Sequence, residues 1–122
     1  MAFDEGLAAR VREALQGVSF VTEKRMFGGL TFMINGHMCC GVMGDRLMLR
    51  VGAPTYEQTL LQPHVRPMDF TNRPLTGFVF VQPGGLEDDD ELAAWVQRGI
   101  DFAGALPPKD LPNKRRIKRK RT

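Results

Sequence analysis

Apolar residues recur at Phe3, Leu7, Val11, Ala14 and Leu15, the spacing of one helical stripe. Asp4 and Glu5 sit in its first turn, where acids favour the helix dipole, and Gly17 ends it. The period then shortens. Residues 21–27, 30–34, 37–43 and 46–51 are apolar-rich runs separated by Gly28-Gly29, Asn35-Gly36 and Gly44-Asp45. Asn-Gly between apolar runs is the strongest short hairpin signal. In the fourth run Leu47, Leu49 and Val51 alternate with Met48 and Arg50. The pattern predicts a helix followed by a meander of three or four strands.

Pro54 opens a short helix, residues 54–61, presenting Tyr56, Leu60 and, at the margin, Leu61 to the core. Residues 62–76 carry three prolines and read as loop, with a short strand near 66–70. Residues 77–82 (GFVFVQ) read as a strand that Pro83-Gly84-Gly85 breaks. A last helix spans 88–105, with Leu92, Trp95, Val96, Gly99, Ile100 and Ala103 on one face. Acids at 87–91 sit at its start, and Pro107-Pro108 stop it. This order argues an α+β domain, helices covering an antiparallel sheet, over residues 1–106, with residues 107–122 as a disordered appendage. No internal repeat is visible.

Charge changes the picture more than composition does. Of the 122 residues, 113–122 read NKRRIKRKRT and hold Lys114, Arg115, Arg116, Lys118, Arg119, Lys120 and Arg121 with no acid. Residues 1–112 hold the other ten Lys and Arg against all fourteen Asp and Glu, so a body of −4 carries a tail of +7. Nucleic-acid affinity is therefore expected in the tail, because an acidic body repels phosphate. The tail has no aromatic residue to stack on bases, so any such binding is expected to be weak and sequence-independent. Two other readings stand beside it: a solubilising terminus, or a segment that folds back on the acids at 87–91. No apolar run approaches a membrane span, and the N-terminus has acids where a signal peptide has basic residues; both point to the cytoplasm, away from membranes. Cys39 and Cys40 are adjacent in an expected strand, where successive side chains point to opposite faces; a disulfide between them is strained, in keeping with a reducing compartment.

The segment EKRMFGGLTFMINGHMCCGV, followed by RLMLRVG, Tyr56 and RPMDFTNRPLTGFVFVQP, resembles the N-terminal domain of the TfoX/Sxy family over roughly residues 5–105. The motifs map onto Arg25-Met26-Phe27-Gly28-Gly29, residues 47–51, Pro67-Met68 with Phe70, and Gly77-Phe78-Val79. The acidic turn into a helix bearing Trp95 also matches. The resemblance implies the order α-β-β-β-α-β-β-α, a regulatory interaction module related to competence regulators, and no catalytic residues. The family's regulators carry a further C-terminal helical domain; this chain has the basic run in its place.

Read from the residues, Gly28-Gly29 let the chain kink between strands; an anion cradle with Arg25 is the sharper alternative, but phosphate loops lead into helices and here a strand follows. His37 and Cys39 share a strand face, yet a metal needs three or four ligands and no C-x-x-C occurs. No cofactor is expected. Met26, Met33, Met38, Met43, Met48 and Met68 concentrate in the sheet half, as core filler or, if they share an exposed face, as an adaptable protein-binding surface. The reading is a non-enzymatic regulatory or adaptor module acting through protein contacts, with nucleic-acid association through the tail as the alternative. Self-association through an edge strand stays open. An adaptor is expected to expose a Met-rich or apolar patch. A nucleic-acid protein is expected to place basic residues beside the tail, Arg98 first and Lys109 next. An enzyme is expected to have a pocket around His37.

Overall fold

The computed structural model describes residues 3–26, 28–69 and 74–107. Helix α1 (Glu5–Ala14) starts at Asp4, whose Oδ1 accepts from the backbone N–H groups of Gly6 (2.8 Å) and Leu7 (3.1 Å), satisfying two donors that the helix itself cannot. Four strands follow: β1 (Val21–Met26), β2 (Gly29–Ile34), β3 (His37–Met43) and β4 (Arg46–Arg50). The first half thus holds one strand more than the family order counts. The β2–β3 turn is the expected Asn35-Gly36, both residues at positive φ (52° and 84°), which matches the twist of the flanking strands.

A 3-10 turn, Ala53–Thr55, leads into α2 (Tyr56–Leu60); β5 (Val65–Asp69) and β6 (Pro74–Val81) follow. A second 3-10 turn at Pro83–Gly85 then precedes α3 (Asp89–Gly104). All neighbouring strands are antiparallel, in the order β1-β2-β3-β4-β6-β5. The two edges are blunted: β1 carries Glu23-Lys24-Arg25, and β5 carries Pro67, which cannot donate to a further strand. Tyr56 is buried and Leu60 half-buried, but Leu61 is 86% exposed, because the helix ends before it can turn inward.

The helices lie against one face of the sheet. Leu30, Phe32, Val42, Leu47, Leu49, Val79 and Val81 form the main core there, with Leu7 and Val11 from α1 and Leu92, Val96 and Ala103 from α3. Strand alternation predicts Cys39 and Cys40 on opposite faces; the structure places both in this core, fully buried. The cause is a β-bulge: Phe32 pairs with Cys40 and Met33 with Met38, so Cys39 is left without a cross-strand partner and turns toward the helices. The hydrogen bond shared with Cys39, together with burial, holds the Cys40 thiol well above its ordinary pKa. Both thiols are free and act as small core hydrophobes.

Helix α3 seats on the bulge through Gly99. A Cβ at this position would lie 2.8 Å from the Cys39 carbonyl oxygen, 3.0 Å from Leu49 Cδ1 and 3.1 Å from Cys39 Sγ. The nearest of these atoms is backbone in a paired strand, so relief requires the helix to move. Gly99→Ala is therefore expected to destabilise the fold by about 1–3 kcal/mol despite alanine's better helix propensity, measured by urea unfolding. At the periphery, Arg12 and Glu23 tie α1 to β1 through two hydrogen bonds of 2.6 and 3.0 Å. These bonds hold the Glu23 carboxyl below its ordinary pKa of 4.5. The stabilisation is present above that value and is lost as pH falls through the lowered one. Glu23→Gln should cost about 0.5 kcal/mol at neutral pH, the scale of an exposed pair, and the difference from the parent should vanish in strong acid.

Candidate functional site

A cleft of about 530 Å³ opens beside α3, bounded by the Gln62-Pro63-His64 turn between α2 and β5, by Gly84-Gly85, and by Glu91, Trp95 and Arg98. The helix period places these three α3 side chains on one flank, one turn apart from Glu91 to Trp95. Arg98 is held at both ends of its guanidinium. It lies over the Trp95 ring at 5.2 Å, and its Nη2 donates to Thr59 Oγ1 at 2.6 Å. Thr59 is fully buried and its hydroxyl donates a hydrogen bond to the Thr55 carbonyl at 2.7 Å, so α2 and α3 are joined by an ordered polar chain.

Opposite stands His64, at φ 69°, in the left-handed region where a side chain is strained. Its carbonyl accepts from Gln82 N–H at 2.7 Å, which fixes the backbone in that state. Its ring rests on Gly84, where a Cβ would come within 2.7 Å of Cε1 and 2.8 Å of Nδ1. The cleft thus offers an aromatic face, a pre-positioned guanidinium, a carboxylate and an imidazole, with exposed Leu61 one residue before its rim. Arg and Trp together, half-buried and pre-ordered, are the side chains that dominate contact energies in protein interfaces.

Among the described residues, the opposite face of the sheet carries no helix. Cross-strand register places Lys24, Thr31, Gly41, Met48, Phe80 and Arg66 in one row across all six strands. Met43, Met48, Met68 and Phe80 make a second buried cluster here, with Met38 and Phe78 half-buried against it. Strand alternation puts Met26 and Met33 on the same side. Every methionine singled out in the sheet half therefore shares this face, which register alone could decide. The face is roofed by cations: Arg46 lies 3.9 Å over Phe80, and Arg50 lies 5.4 Å over Phe78 and 5.3 Å over Phe102 of α3.

The residues flagged in the sequence separate. Arg98 belongs to the cleft, and Arg50 donates from Nη1 to the Met38 carbonyl at 3.4 Å. His37, at the start of β3, has Nε2 2.6 Å from the Pro107 carbonyl oxygen and lines neither cleft found among the described residues. Arg25 lies over the Phe3 ring at 5.5 Å, Met26 is half-buried, Gly28 sits in the β1–β2 turn, and a Cβ on Gly29 would fall on the Val42 carbonyl. Gly29 is thus packed against β3, whereas Gly28, at φ 74°, is exposed and a Cβ there would meet nothing within 4 Å. Among the described residues no three His, Cys, Asp or Glu side chains converge as metal ligands, and no helix is long and apolar enough to cross a membrane. Phe27, Lys109, and Lys114, Arg115, Arg116, Lys118, Arg119, Lys120 and Arg121 lie outside the described residues. The cleft was missed in the sequence because its parts are far apart in the chain; Pro63-His64 and the Glu91, Trp95, Arg98 spacing are its only local traces.

No curated protein matches the chain at a significant level. The family model of the TfoX N-terminal domain matches residues 13–103, about three quarters of the 122 residues, from within α1 to the last turn of α3. The chain belongs to the TfoX N-terminal domain family.

Proposed function

We propose that this domain is a non-enzymatic regulatory adaptor of the cytoplasm that acts by holding a segment of a partner protein in the cleft between α3 and the His64 turn. Family membership supports a regulatory role. The observation that carries the contact reading is the cleft's composition: a pre-ordered Trp95–Arg98 pair facing a backbone strained at His64, with exposed Leu61 at the rim. Strain at a non-glycine residue persists where the surrounding structure enforces it, and it concentrates at ligand-contacting positions. Here a glycine would relieve it without loss of buried apolar area, since His64 is exposed.

That separation of stability from contact is the test. His64→Gly is expected to leave stability equal or raise it by about 0.5–1 kcal/mol while weakening partner contact. A photo-crosslinking residue at Leu61, in the full chain in cells, should yield discrete protein adducts that fall at least tenfold in the Trp95→Ala and His64→Gly backgrounds. Adducts that persist unchanged in both, or an absence of adducts in the parent, reject the cleft as the contact site.

A further inference from the structure

The body's net negative charge conceals a strong polarity. Helices α1, α2 and α3 carry seven acids against three arginines, whereas the six strands carry five cations against two acids. Of those two, Glu23 is on the helix side with Arg12, and Asp69 is the last residue of β5. The ion pairs found among the described residues, Arg10–Asp89 and Arg12–Glu23, both lie on the helix side. The helix-free face therefore presents Lys24, Arg46, Arg50 and Arg66 with no carboxylate in ion-pair contact among the described residues.

We propose that this helix-free face binds single-stranded nucleic acid, its backbone running along the row from Lys24 to Arg66, independently of the cleft. Five inter-strand steps make that row about 24 Å long, room for about four to seven nucleotides. The flat Arg46 guanidinium, stacked on Phe80 and half-exposed, offers its outer plane to a base. Phe80 itself is 3% exposed, and Met43, Met48 and Met68 are buried in the same cluster. Little apolar surface is thus left for a protein to cover, while the cations stay accessible. Pro107 is held at His37, which pairs with Ile34 of the helix-side core, so the sheet face carries this proposal on its own cations. Charge complementarity selects a polyphosphate strand.

The test is a salt titration of the full chain with a labelled twelve-nucleotide single strand, followed by anisotropy. The seven tail cations alone would give a log–log salt slope of about −5, and the sheet face raises it toward about −8. Lys24 and Arg66 are both exposed on edge strands, so Lys24→Gln/Arg66→Gln should fold normally, with unchanged Trp95 emission. It should reduce the slope by about 1.4 and weaken binding several-fold, while Trp95→Ala leaves binding as it is. An unchanged slope in the double variant assigns binding to the tail alone and overturns the proposal. So does a preference for duplex over single strand, or equally tight binding of an acidic peptide with the same dependence on Lys24 and Arg66.

Discussion

The seat of α3 on the bulge in β3 is the contact on which the rest of the domain depends. Because Gly99 has no side chain, the helix axis comes close enough to touch the backbone of Cys39. That approach brings Trp95 and Arg98 alongside the α2 and His64 segments at one end, and the Phe102 ring against Gly52 and Arg50 at the other. A larger residue at this single point would lift both ends together. The bulge is the complementary half: it turns Cys39 toward the helix and leaves Met38 on the far face, so one local irregularity serves both layers.

Two surfaces of different chemistry follow from this two-layer arrangement. On the helix side the acids of α3 cluster at its start, where Arg10 reaches across to Asp89 and to the Leu86 carbonyl at 2.7 Å. On the sheet side, the guanidinium groups of Arg46 and Arg50 lie over the Phe80 and Phe78 rings, so that two cations stand on an apolar layer through cation–π contact. A protein contact at the cleft and a phosphate contact at the sheet can coexist, because the sheet separates them.

Much of the fold was legible because it is written in local chemistry. The stripe Phe3, Leu7, Val11 marks a helix buried on one side, and Asn35-Gly36 marks a hairpin whose turn demands positive φ. Leu47, Leu49 and Val51 fall on the core side as their alternation requires. The two cysteines failed because alternation presumes a regular ladder, and a bulge is created by what the neighbouring strand and the helix above require. Leu61 failed because apolar character alone does not say where a short helix stops.

What the sequence determined by itself, then, is what depends on neighbours within a few positions: element type, turn position, family, and the total of charge in body and tail. The tertiary structure alone decided which side chains meet. His64 and Arg98 share a cleft across thirty-four positions of chain only because α3 returns beside the α2–β5 turn. Lys24 and Arg66 share a row only because six strands align in one register. A net charge is a sum and carries no position. Folding left Lys24, Arg46, Arg50 and Arg66 on one face and put Glu23 and Arg25 on the other, because a strand sends every second residue through the sheet.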